Sequence, residues 1–277
     1  MTIKVLFISA LLTSVAIVLD TRLASLAAPL DEQTQAGSAT SSAPPLYRSS
    51  VVGTNFDFIT ASDPSAFQRL EYVGVKDFEM PDKRKISGKP IVQRAYVFNA
   101  HFTDGTKFAI ALDKDFGSIH AAEQDALRYT PGLGKLPSLY RQKLRHVVVH
   151  KGGADMTAFA EDKGHFFVIY SDNATKRIGT HDLEETIFHE ATHASIQSNH
   201  LEAAAWKNAK ALDNAYITDY AQKNIQEDFA ESALFAYTII YHPERFPAAE
   251  RDKIERQIPN RIAFFRNVYK PTSHAPP

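Results

Sequence analysis

The chain has 277 residues, a formal net charge of −1 and 44% hydrophobic residues, as expected for a globular protein of one, at most two, domains with enough chain to bury a core. The near-neutral charge gives no electrostatic case for nucleic acid or an anionic membrane surface as partner. The absence of cysteine excludes disulfides, a lipid-anchored cysteine, and thiolate as metal ligand or nucleophile.

At the N-terminus, Lys4 precedes an apolar run from Val5 to Val18. The run is shorter than the about 20 apolar residues a membrane helix needs, and it reads as a secretory signal. Small residues at Ser25 and Ala27 set cleavage after Ala27, so 1–27 is a signal peptide and the product secreted or periplasmic. Asp20 and Arg22 sit awkwardly before that site and leave an uncleaved anchor as the alternative. After cleavage no membrane association is expected, and the protein is expected to be a monomer. Residues 28–50 are rich in Ala, Ser, Thr, Gln and Pro and read as a flexible linker or short pro-segment.

One folded domain is expected to span 51–277, with a hairpin-containing part at 51–143 and a core part at 144–277. Arg94–Phe102 and Thr106–Leu112 alternate in polarity around Asp104-Gly105, the pattern of a β-hairpin. Ser118–Arg128 is predicted helical and is ended by Pro131-Gly132-Leu133-Gly134. Leu144–His150 and His165–Tyr170 are predicted strands; whether His165–Tyr170 lies at a sheet edge, free to pair with an extended peptide, is open at this level. A helix starts at Asp182, whose carboxylate is expected to cap it with Glu185 in capping-box position. Its apolar stripe is Leu183, Ile187, Ala191 and Ala194. Further helices are predicted at Glu202–Leu212 and Gln226–Ile240, followed by an amphipathic tail over Arg251–Val268.

The helix from Asp182 carries His189-Glu190-Ala191-Thr192-His193, the H-E-x-x-H pattern. Residues four apart share a helix face, so both imidazoles can reach one Zn²⁺. Glu190 then sits beside the metal-bound water as general base. A catalytic zinc needs a third protein ligand and an open position. A metzincin would need Gly at Ile196 and His at Asn199; His200 misses that register by one. Asp213 and Asp219 are possible ligands on unconvincing helices. The favoured ligand is Glu227, with Glu231 at i+4 hydrogen-bonded to the free N–H of a ligand histidine. A solvated acidic face would not explain the apolar Phe229, Ala230, Ala233, Leu234 and Ala236 around these carboxylates. A phenol near such a site can donate to a developing oxyanion, a contribution of about 3 kcal/mol, although on its own one Tyr among eleven, Tyr220 included, more often packs.

Glu227-Asp-Phe-Ala-Glu231, with Tyr220 seven residues earlier, resembles the catalytic domain of anthrax lethal factor and the related secreted Pro-Pro endopeptidases. The resemblance covers about Leu144 to the C-terminus and rests on the motifs. It implies an α+β gluzincin-type metallopeptidase fold, zincin-like, with a small mixed sheet, the H-E-x-x-H helix and a mostly helical C-terminal half. It also implies that Tyr220 acts on the oxyanion. The large target-binding domains of the toxin are missing, so its substrate is not implied.

The expectation is a secreted Zn²⁺-dependent endopeptidase acting on protein or peptide substrates. An aminopeptidase is disfavoured: Met occurs only at positions 1, 80 and 156, and there is no G-x-M-E-N-like strand. The alternatives are an inactive binding protein on the same fold, against which the intact Glu190 argues, or an envelope protein with a structural zinc, which would need a fourth protein ligand such as His200 or an Asp. His146 and His150, on one face of their strand, are read as packing or surface residues, Trp206 as core, and Lys83-Arg84-Lys85 as a basic loop too short for a nucleic-acid patch.

Overall fold

The computed structural model describes residues 42–85 and 91–270. The predicted signal peptide and residues 28–41 of the predicted linker lie outside them. Six strands form one mixed sheet: β1 (Phe67–Glu79), β2 (Val92–Phe102), β3 (Lys107–Asp113), β4 (His146–His150), β5 (Phe159–Glu161) and β6 (Phe166–Tyr170), in the order β1-β2-β3-β4-β6-β5. The β2–β3 hairpin forms around Asp104-Gly105 as the alternation predicts, with Gly105 at φ 78°. β3, β4 and β6 run parallel, and β5 returns antiparallel along the edge.

Successive side chains of a strand point to opposite faces. Val147 and Val149 of β4, with Phe167 and Ile169 of β6, join the large core under the helices. Val148, Phe166, Val168 and Tyr170 form a smaller cluster on the other face with Met80, Ala95, Val97 and Phe159. Both faces are therefore covered, which explains the unbroken apolar runs in these two strands.

The helices are α1 (Ile119–Leu127), α2 (Thr130–Lys135), α3 (Ser138–Arg141), α4 (Ser171–Gly179), α5 (Leu183–Thr192), α6 (Ser198–His200), α7 (Ala204–Asp213), α8 (Ile225–Tyr241), α9 (Ala248–Gln257) and α10 (Pro259–Val268). A π turn over His193–Gln197 joins α5 to α6. The result is α+β with a mixed sheet and a mostly helical C-terminal half, as expected. No helix of the described residues is long and apolar enough to cross a membrane.

The stripe Leu183, Ile187, Ala191 and Ala194 is buried as predicted and seats α5 in the core beside α8. The ends of α5 differ from expectation. Asp182 begins the helix but its side chain does not cap it; the carboxylate instead takes Arg177 at 2.9 Å and the Thr180 hydroxyl at 3.0 Å. Glu185 turns into the core and accepts the Ile59 N–H at 3.1 Å, so there is no capping box. Pro131–Gly134 does not break structure but lies inside α2, where Pro fits a first helical turn. A Cβ on Gly132 would meet Ile187 Cδ1 at 2.9 Å, so the glycine permits close packing on α5. The tail over Arg251–Val268 is two helices, α9 and α10, separated at Ile258 just before Pro259.

His165–Tyr170 is not an edge: β6 is flanked by β4 and β5, and all five of its residues are buried. The free edge on that side belongs to β5, a strand too short to stand out in sequence. Ordered chain also starts before Val51. Ala43 and Tyr47 bridge to Ala215 and Thr218, and the Tyr47 ring stacks on Phe235 at 5.4 Å. Within the predicted linker, the described residues 42–50 form a strap along 214–220.

Candidate metal centre

Two helices and the turn before the second position the site. His189, Glu190 and His193 come from the last turns of α5 and the start of the π turn. Asn224 caps α8 by accepting the Glu227 N–H at 2.9 Å, which fixes Glu227 in the first turn and Glu231 one turn deeper. Tyr220 opens a short 3₁₀ turn over Tyr220–Gln222, just before that cap.

The structure brings together the three residues predicted as ligands. His189 Nε2 lies 3.1 Å from His193 Nε2, and one Glu227 oxygen lies 3.1 Å and 3.2 Å from these two nitrogens. Among the described residues this is the group of His, Asp and Glu side chains close enough to hold one metal ion. Four bonds of about 2.0–2.1 Å at tetrahedral angles put neighbouring zinc ligands about 3.3 Å apart. The three atoms fit that spacing.

The outer nitrogens support the same geometry. His193 Nδ1 is 2.5 Å from the Gln197 carboxamide oxygen, which can only accept, so the proton sits on Nδ1 and the Nε2 lone pair faces inward. His189 Nδ1 lies 3.2 Å from Glu231 Oε1, within ion-pair range but off the line of a straight hydrogen bond. Glu231 is thus beside His189, but without the hydrogen bond expected of it. Its other oxygen accepts the Val51 N–H at 2.6 Å and the Thr218 hydroxyl at 2.7 Å.

The electrostatics are those of a place that wants positive charge. Burial alone would lower the His189 pKa, but Glu227 and Glu231 outweigh it and raise it to about 10. Burial likewise opposes ionisation of Glu227, yet hydrogen bonds to His189 and His193 hold its carboxyl well below the usual range. A proton can supply that positive charge; a metal would compete with it for the same nitrogens. Burial pushes the Glu190 carboxyl up, with His189 and His193 opposing. Burial also raises Tyr220 to about 12, helped by the nearby Glu227, Glu190 and Glu231, so it stays a neutral hydroxyl donor at any physiological pH. Its ring stands edge-on to His189 at 6.0 Å.

His189, Glu190 and Tyr220 line a cleft that continues on both sides of the cluster. One side runs under Ser50, Val52 and Arg177, the other past Lys83, Gln197 and Asn224, and Thr157 and Ala158 before β5 line both. The alternative ligands lie elsewhere. His200 packs with Phe229 and Phe264, Asp213 is paired with Arg261, and Asp219 is exposed and not part of the close His-His-Glu group. His146 stacks on Phe166 at 4.3 Å, His150 is buried against Asp113, and Trp206 is core.

Sequence reasoning did not find Gln197, Thr218 or the strap. Gln197 stands four residues after His193, a spacing that could have flagged it. Thr218 and Val51 are brought to Glu231 by tertiary structure alone. Comparison with family models, curated proteins and solved structures finds no match to this chain.

Proposed function

We propose that this chain is an exported zinc-dependent endopeptidase of the gluzincin kind, resembling the lethal factor and Pro-Pro endopeptidase catalytic domains in its motifs. One observation carries the reading: three potential ligand atoms 3.1–3.2 Å apart cluster together, with a carboxylate and a phenol alongside and no fourth protein ligand among the described residues. A structural zinc would need that fourth ligand, and the candidates for it, His200 and Asp213, are engaged elsewhere.

His189, His193 and Glu227 would hold the ion. Bound there, zinc would supply a Lewis acid and a water acidic enough to attack near neutral pH. Glu190 takes the proton of the attacking water and passes it to the leaving amine nitrogen. The Tyr220 hydroxyl donates to the carbonyl oxygen as it gains charge. The free edge of β5 lies along the cleft and offers backbone groups to an extended peptide.

The test is metal analysis and peptide-library digestion of the full chain beside Glu190→Ala. Zinc at one per chain in both proteins, with hydrolysis lost at least about a thousandfold in the variant, is the expected outcome. Equal turnover by the two, or a folded chain that takes up no zinc, refutes the proposal.

A further inference from the structure

The loop Lys83-Arg84-Lys85, too short to suggest nucleic-acid binding, is held by polar groups at the ends of β4 and β6. Asp82 is 3% exposed; it accepts from Arg84 Nε at 2.9 Å and from the Tyr170 hydroxyl at 3.1 Å. The same hydroxyl accepts the Lys83 N–H at 2.9 Å, and Arg84 reaches the Lys151 carbonyl at 2.8 Å. Buried His150 bonds the Pro81 carbonyl at 3.1 Å. A buried network of this kind, holding a loop of exposed cations, fixes where those cations stand.

Lys83 is laid along the cleft edge. Its Nζ stands 4.0 Å from the centroid of the Phe159 ring on β5 and lines the cleft together with Glu190 and His193. No carboxylate of the described residues lies within ion-pair distance of it, although Asp162, Glu190 and Glu227 line the same space. It is the lone Lys or Arg among the described residues lining that side. An ammonium on an aromatic face keeps its charge available to a ligand, and a cleft wall of low dielectric strengthens its field.

We propose that Lys83 is a specificity-determining residue that binds a carboxylate of the peptide lying along β5. The proposal rests on the reading of the cleft as a peptide site and names the class of peptide it prefers. The carboxylate is either an Asp or Glu side chain or the free C-terminus, two sources of one chemistry.

The experiment measures equilibrium binding of fluorescent peptides to the full chain in the zinc-supplemented Glu190→Ala background, so that peptides stay intact. Glu, Gln and Lys are compared at each position, with free and amidated C-termini, and the measurement is repeated with Lys83→Met and Lys83→Glu added. Glu should be favoured over Gln at one position about three- to tenfold, Lys83→Met should remove the preference, and Lys83→Glu should invert it towards Lys. A preference that follows the free C-terminus, disappears on amidation and responds in the same way to Lys83 supports the terminal source. A Glu/Gln ratio near one, a ratio indifferent to Lys83, or no peptide binding overturns the proposal. Hydrolysis by the parent chain is scored separately: its absence with the Lys83-dependent preference intact removes the peptidase reading and leaves the carboxylate site standing.

Discussion

Two charge clusters, one fully buried and one partly buried, share the first turns of α8 and resolve in opposite ways. Asp228 turns toward Arg261, which also binds Asp213 at 3.0 Å; all three side chains are fully buried, and the guanidinium supplies the positive charge between two carboxylates. Its neighbour Glu227 turns the other way, toward His189 and His193, and among the described residues no Lys or Arg closes the set. The chain completes the first cluster from its own residues, whereas the second has room for a cation from outside, which is what the proposed function requires. Buried acidic residues alone do not mark a metal site; the origin of the counter-charge does.

The contrast can be broken most severely at Arg261. Arg261→Met strands Asp213 and Asp228 without a cation and should cost about 3–5 kcal/mol, read as a lowered denaturation midpoint that zinc does not restore. A chelator should destabilise the zinc-loaded parent reversibly, by about 4 kcal/mol where free metal stood at a thousandfold excess over Kd, read as a lowered Tm. It should leave the Asp213–Arg261–Asp228 cluster intact, so that re-adding zinc returns the full Tm. Gln197→Leu keeps all three ligands but removes the acceptor from His193 Nδ1. Metal affinity should then fall about 10- to 100-fold, measured by competition with a chromophoric chelator; Gln197→Glu should retain most of it.

The smallest expected effect concerns Glu185, one helical turn before His189. Burial raises its carboxyl from 4.5 to about 7, so between these values the folded chain keeps a proton that the unfolded chain has lost. That contribution is fully present below pH 4.5 and is lost as pH rises to about 7. Relative to the parent, Glu185→Gln should be more stable at pH 8 than at pH 5 by about 1–2 kcal/mol, measured by urea unfolding in chelator. A difference independent of pH would show that Glu185 does not hold its proton.

What the sequence shows of this site is what helical periodicity carries. His189 and His193, and Glu227 and Glu231, are each four apart on one helix, so their shared faces follow from local geometry. The apolar stripe of α5 and the Asp104-Gly105 hairpin are legible for the same reason. The remainder depends on contacts between distant segments. Val51 and Thr218 meet Glu231 across 180 and 13 residues. Glu185 reads as a capping residue until Ile59 is seen to claim it. Gln197 reaches His193 through a π turn, for which sequence has no dependable signal. The three-residue edge strand β5 and the standing of Lys83 beside it follow from sheet order, not from composition.

The strap has a consequence for biosynthesis. The Ser49 carbonyl takes the Tyr220 N–H at 2.9 Å and the Val51 N–H takes Glu231, so segments made early must wait for segments made late. Long loops close slowly, and a ribosome-bound chain lacking its last quarter has neither Glu227 nor a partner for its strap. If the proposed site takes up an ion, only a chain folded through α8 can do so, and a half-made one should pass metal by.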